Sequence, residues 1–393
     1  MANRPQNKQE NRPDNRVDFE KLRKRRQRVL TVRRLIALAV ILVLVFSILA
    51  VNSYLIDNSF TIRISDWVES FGGSGYPIPV PGGVIRNVRS LDTELAVLND
   101  TNLYIYNKKG KTLSTVQRMS ENAVLVTSSK RALIFEGGGK RYVVTTPSKQ
   151  LVDKSYEFNI QGADINDRGD YVLVSSSSQY VAQVTVFNNK NEWYFQWFSS
   201  DSMVQDVAIS AKGTHMAVGC VNTRGGRIYS TLFLFDLGQK AEQAKLELEG
   251  ELVLQVSYLD DGRVGVLTDC GWRIYSDSLS GSKVYDFGGL EVRGMDRRGK
   301  ETLLLLGNTG TRAQELVLLD GDCKVALRAE LAGQARDIAL GDGRLYVLTD
   351  TGVTAYTREM EPKETLELRG ISDIHLVKNR LYYLSKDEIN VFG

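Results

Sequence analysis

Cysteine and histidine are nearly missing from this sequence, at three and two residues out of 393. The cysteines, Cys220, Cys270 and Cys323, are odd in number, and no pair has zinc-ligand spacing. That excludes a disulfide framework and a Cys/His metal centre. The thiols read as buried or incidental, the alternative being one disulfide between neighbouring sequence units. His215 and His375 are isolated, and no H-E-x-x-H pair exists. No G-x-S-x-G elbow marks a nucleophile. Gly137, Gly138 and Gly139 precede Lys140, but no Ser or Thr follows the lysine, so the stretch reads as a hairpin turn and not a phosphate loop. Asp100, Asp269 and Asp350 lie near turns, where an aspartate bonds its own backbone, and no dense D-x-D-x-D run gathers oxygens for calcium. No catalytic, cofactor-binding or metal-binding residue is therefore assigned.

An excess of one charge is also missing from most of the chain. Residues 1–34 hold 12 Lys/Arg against 4 Asp/Glu, whereas the remainder holds 38 against 43. The larger part is mildly acidic and lacks the basic footprint that nucleic acid requires, so no nucleic-acid partner is expected. Met1–Arg16 is rich in Asn, Gln, Pro and Arg and has almost nothing to bury. The basic tail, residues 1–34, is expected to be largely disordered.

Long apolar runs are absent too, with one exception. Leu35–Val51 reads LIALAVILVLVFSILAV without a charge, and the stretch extends to Ile56. At about 1.5 Å per residue, residues 35–56 span roughly 33 Å, enough for a bilayer core of about 30 Å. Eight bases lie between Lys21 and Arg34, whereas the first beyond the run are Arg63 and Arg86. The positive-inside bias then places the tail in the cytoplasm and residues 57–393 outside, as a single-pass membrane protein. A cleaved signal peptide is the rival reading, weakened by the long charged region and the missing small-x-small site. The Lys21–Arg34 cluster would meet anionic lipid headgroups; a docking site for a cytoplasmic partner is the alternative.

What fills the rest is a repeat. Asn87–Asn107 (NVRSLDTELAVLNDTNLYIYN) and Asp337–Thr357 (DIALGDGRLYVLTDTGVTAYT) align without a gap. Related stretches begin at Gly162, Asp206, Gln255 and Asp373, with more worn copies from Asn122 and Val292. Each unit alternates short apolar runs with Gly, Asp or Asn turns, which is the pattern of strands and hairpins. No run beyond the apolar one sustains a 3.6-residue period; Gln239–Leu248 comes nearest and sits where a fourth strand belongs. Units start near 85, 122, 161, 205, 253, 291, 335 and 371. Four strands per roughly 40 residues is the signature of an all-β propeller, eight-bladed by this count, with seven as the alternative.

DVAISAKGTHMAVG and GADINDRGDYVLVS resemble the inner two strands of WD40-like blades, although no Gly-His opening or Trp-Asp ending is present. The quinoprotein Gly-x-x-x-Trp ending is also lacking. The layout of basic tail, anchor, Pro/Gly linker and degenerate propeller resembles an uncharacterised bacterial membrane-anchored propeller family of unknown function. That resemblance implies fold and topology and carries no activity.

The linker, residues 57–83, is expected to hold a short helix at Ser65–Phe71 and a proline-rich closing strand, Tyr76–Pro81 (YPIPVP). The last unit, within a propeller at 84–393, has only three strands. The closing strand should complete it by pairing with Glu388–Phe392. One stretch is unusual, Trp193–Phe198 (WYFQWF). In a regular strand Trp193, Phe195 and Trp197 share a face. They are a candidate contact patch, with packing between blades as the competing reading. The function expected is binding or scaffolding of an extracytoplasmic protein or glycan; the alternative is a propeller lyase or hydrolase acting on a cell-surface polymer. Any signal across the membrane would pass through a partner, since the tail is too short to fold.

Overall fold

Each sequence unit folds into one four-stranded antiparallel sheet, and there are eight sheets. The computed structural model describes residues 31–47, 66, 70–80, 82–117, 120–308, 313–331, 333–386 and 388–392. Two units are separate: residues 1–64, whose described part is a helix at 31–47, and residues 65–393, which hold every strand. Among the described residues no helix is long and apolar enough to cross a membrane. Residues 48–56 of the expected span, and most of the basic tail, lie outside the described residues.

The blades begin at Ile85, Ala123, Ile160, Met203, Val253, Glu291, Ala335 and Asp373. In blades 1 to 7 the strands pair in chain order. First strands of blades 1 to 5, and of blades 6, 7, 8 and 1, lie side by side, and blades 5 and 6 share one core cluster, so the first strands form the inner wall of a closed ring. The worn second and sixth units are complete blades, which excludes seven.

The continuous apolar runs follow from this stacking. Successive side chains of a strand point to opposite faces, and a blade is covered on both. Leu303 and Leu305 of blade 6 pack with Ile338 and Leu345 of blade 7, whereas Leu304 and Leu306 pack with Trp272 and Ile274 of blade 5. All four leucines are at most 1% exposed, each worth about 1.5–3 kcal/mol of burial. Fourth strands face solvent on their outer side and read as alternating. Ala241–Glu249, which contains most of the helix-like stretch, is such a strand, with Ala244, Leu246 and Leu248 turned toward blade 5.

The ring closes through the N-terminal linker. Ile78–Pro79 is the outer strand of blade 8, with Ile78 opposite Ile389 and Pro79 opposite Glu388. The expected closure is therefore present. Ile78 and Ile389 are buried with Val88, Leu95 and Tyr382, joining blades 8 and 1. Ahead of that strand, the Asn107 side chain donates to the carbonyls of Ser70 and Gly72, and Gly75 N–H donates to Lys109 O. Asp66 is helical and accepts from Thr146 and Ser148 of blade 2. Ser65 and residues 67–69 of the expected short helix lie outside the described residues.

Candidate functional site

Eight first strands enclose a central channel. Its main cavity, about 650 Å³, is lined by blades 1 to 5 with Asn87, Arg89, Gln161, Asp164, Gln205, Asp206 and Gln255 among its polar groups. A recurring β-bulge shapes this wall. In blades 1, 3, 4, 5, 6 and 7 the first strand carries an extra residue against the second. A bulge bends its strand and re-aims side chains.

Below the bulges, aspartates tie blades 3, 4, 6 and 7 each to the next. Asp164 accepts from Ile209 N–H at 2.8 Å, Asp206 from Val256 N–H at 2.8 Å, Asp296 from Leu340 N–H at 2.7 Å and Asp337 from Ile374 N–H at 3.2 Å. Each also accepts from the N–H of the residue after it. Burial outweighs these bonds: it pushes Asp164 up to about 7 and Asp206 up to about 6, and raises Asp296. Asp337 is raised by burial and by Asp373, whose carboxyl hydrogen-bonds to it. Sequence reading missed this role. Asp206, Asp337 and Asp373 opened the aligned units, but a recurring aspartate there reads as a turn marker until its neighbouring strand is known.

The two histidines lie far apart, in blades 4 and 8 of an eight-membered ring. His215 Nδ1 is 2.9 Å from Thr214 Oγ1. Burial, then the nearby Arg89 charge, push His375 down to about 4, so its ring is neutral near pH 7. Its Nε2 has no partner among the described residues. All three cysteines are free, so the disulfide alternative is not realised. Among the described residues no cluster of three His, Cys, Asp or Glu could hold a metal ion.

The aromatic strand, Trp193–Ser199, is the outer strand of blade 3, but its three-residue patch is split. Phe187 opposes Trp193 and Val186 opposes Phe195, leaving Tyr194 as a bulge. The period of two breaks there. Trp193 is 63% exposed, whereas Phe195 is 6% exposed and packs with Phe235 of blade 4 at 5.6 Å between ring centres. Trp197 is half-buried against Phe233 and Phe235. Phe195 and Trp197 thus belong to interblade packing, and only Trp193 presents a surface. Trp193→Ser should change stability by less than about 0.5 kcal/mol, whereas Phe195→Ala should cost about 3–5 kcal/mol. Thermal denaturation of the two variants checks this; equal losses would show the split to be wrong.

A different apolar rim exists at the opposite end of that strand. Tyr180 and Phe198 pack at 4.9 Å between ring centres, yet are 43% and 40% exposed. Val181 (41%), Met203 (67%) and Ile228 (47%) are also exposed, at the same end of the strands of blades 3 and 4. Ile228 lies on a long hairpin, His215–Arg224 and Arg227–Asp236, whose tip extends past the end of the first strand of blade 4 at Met203. Asn222 holds the hairpin to the Asp201 carbonyl at 2.8 Å.

Solved propellers share this architecture at low identity. Sqt1 of Saccharomyces cerevisiae matches with a TM-score of 0.60 and 10% identity, over 82% of this chain and all of that one. BamB of Moraxella catarrhalis matches with a TM-score of 0.54 and 9% identity, over 81% and 99%. The Cps50 (Swd1) propeller domain of Myceliophteria thermophila matches at 0.51 and 13%, over 69% and 95%. These likenesses carry the fold alone. No curated protein matches the chain. A family model does, across residues 83–391 and so across all eight blades except the closing strand, and the chain belongs to that family, a family of unknown function (DUF5711).

Proposed function

We propose that this chain is a membrane-anchored, extracytoplasmic propeller that binds a protein or a cell-surface glycan and performs no chemistry itself. The observation that carries the binding reading is the apolar rim of blades 3 and 4. Exposed aromatic and methionine side chains gathered at one end of two neighbouring blades are the composition of a recognition surface, not of ordinary solvent-exposed sheet. Support for the anchor comes from residues 31–47, a helix whose large apolar side chains are 47–64% exposed on all sides. A helix apolar all round needs an apolar surrounding. Together with the basic residues from Lys21 to Arg34 it favours a bilayer, with the N-terminus cytoplasmic.

The enzyme alternative has one observation in its favour, the Asp337–Asp373 carboxyl pair on the inner wall, because perturbed carboxyls cluster at active sites. The same Asp337 is committed to two backbone N–H groups, which gives it a structural task.

Two measurements test the proposal. Protease added to intact protoplasts should digest the propeller; protection until lysis would reverse the orientation. Phe198→Ser with Met203→Lys should abolish co-purification of the partner from crosslinked membranes while the melting temperature stays within a few degrees of wild type. Unchanged co-purification would remove the rim from the binding site.

A further inference from the structure

The seam where the ring closes leaves a cavity of about 690 Å³ between blade 8 and the start of blade 1, lined by Val80, Gly82, Gly83, Val84, Ile85, Gly370, Ser372, Ser385 and Lys386. Its origin is physical. The other outer strands are five to nine residues long, whereas the closing strand has two. Beyond it the chain turns through Gly82 and Gly83, which supply no side chains to fill the gap. Gly83 must be glycine: its φ is +107°, and the Asp100 carboxylate packs against the position a Cβ would take. Gly82 is different, since a Cβ there would meet nothing within 4 Å.

The lining mixes the apolar side chains of Val80, Val84 and Ile85 with glycines and two serines, and Lys386 is its one charged side chain among the described residues. Lys386 is exposed and has no partner among the described residues, and neither have the backbone N–H groups of Gly82, Gly83 and Gly370. The hydroxyls of Ser372 and Ser385 donate to the Leu384 and Glu388 carbonyls at 3.1 and 3.2 Å; Ser385 Oγ also accepts from Glu388 N–H at 3.2 Å, which leaves it one lone pair for a donor. Two more bases adjoin the lining in sequence, Arg86 next to Ile85 and Arg369 next to Gly370. Arg336 reaches the same loop through the Ile371 carbonyl and is ion-paired with Asp350. Among the described residues no carboxylate lines the cavity; Asp100 lies behind Gly83, and Glu388 follows on the third strand of blade 8.

We infer that this seam cavity binds a phosphate-bearing hydroxylated ligand, the phosphate held by Lys386 and the glycine backbone and the hydroxyls by Ser372 and Ser385. A compact ammonium with backbone N–H groups is a recurrent phosphate cradle. The volume lies within the range of small-molecule sites and far exceeds a single phosphate, so the ligand carries more than the anion. The inference concerns a different place from the apolar rim and stands without it.

The test is calorimetric titration of the full chain, in non-ionic detergent, with glycerol 3-phosphate and separately with glycerophosphoglycerol. Saturable binding is expected, weakening as salt rises. Tighter binding of the first probe marks a free phosphomonoester as the source, and of the second a phosphodiester of a polymer or lipid headgroup. Lys386→Gln should weaken binding about tenfold or more, as loss of a charged hydrogen bond does. Gly82→Leu, which fills the cavity and leaves the lysine in place, should abolish it. Both sites are exposed, so an unchanged melting temperature shows that the fold is intact. The inference is overturned if neither probe saturates, or if Gly82→Leu binds like the wild type, which would leave Lys386 attracting anions from outside the cavity.

Discussion

A chain lacking residues 388–392 should lose the whole ring in one transition. Glu388–Phe392 is the third strand of blade 8 and, among the described residues, the strand that pairs with the closing strand Ile78–Pro79. Its removal deletes Ile389, which is 0% exposed, and Phe392, which is 8% exposed. It also uncovers Ile78, Tyr382 and Leu384, which pack around Ile389 against blade 1. Each lost large apolar side chain costs about 2–5 kcal/mol, and a protein of this kind holds only about 5–15 kcal/mol in total. Val377, Tyr382 and Leu384 would still face Val88, Leu95 and Val97 of blade 1, but without Ile389 to cover them, and the polar ties across the seam are exposed, such as Lys378–Asp92 at 2.9 Å and Arg380 to the Lys108 carbonyl at 2.6 Å; exposed pairs contribute at most about 1 kcal/mol. Hydrogen exchange checks the outcome. Protection should vanish in blade 4, on the far side of the ring, as completely as in blade 8. If blades 2 to 6 stay protected, the ends merely fray and closure is not what holds the ring. Ile78→Ala is a milder version and should lower the single melting transition by about 2–4 kcal/mol without splitting it.

Raising the pH from about 6.5 to about 8 should destabilise the ring by a few kcal/mol. Asp164, Asp206, Asp296 and Asp337 all have folded-state pKa values above the ordinary carboxylate value of 3.8. The folded state therefore binds more protons than the unfolded chain between that value and the raised ones. Their contribution is fully present below about pH 4 and is lost as the pH rises through about 6 for Asp206 and about 7 for Asp164. His375 works in the opposite direction, since its pKa is depressed to about 4 from 6.5. It adds stability as the pH rises through that interval, and partly cancels Asp206 there. Above about 6.5 the carboxyls act unopposed. Asp153, Asp261 and Asp342 are lowered by arginine partners and matter only under acid conditions. Melting temperatures at constant ionic strength should fall across this range. Asp164→Asn, which keeps an acceptor for Ile209 N–H but cannot ionise, should flatten the fall. A melting temperature that is level or rising there would mean that the aspartates are solvated well enough to ionise at no cost.

The fold was legible because its signals are local. Turn residues separate apolar runs, and a unit such as Asp337–Thr357 repeats Asn87–Asn107 position by position. The observed blade starts lie within two residues of those read from the repeat. Even the closing strand was legible, because a last unit with three strands needs a fourth, and a segment with prolines at alternate positions suits only an edge. The aromatic patch was not. Its error is one residue, the bulge at Tyr194, and a single extra residue reverses which face the preceding tryptophan takes. Nothing in WYFQWF marks that site, since the same shift between third and fourth strands recurs in blades 1, 2, 4, 6 and 7 with other residues there.

The sequence by itself determined the repeat and the order of its units, narrowed the blades to eight or seven, and pointed to the strand that closes them, all of which depend on spacing and on alternation within some forty residues. Only the tertiary structure decided which side chains face one another across blades. Asp164 and Ile209 are 45 residues apart and meet because adjacent first strands align at one height in the ring. The seam cavity likewise appears in no local pattern. It exists because a two-residue strand stands where the other blades have five or more, and a shortage of side chains at one place in space leaves no mark on the residues that surround it.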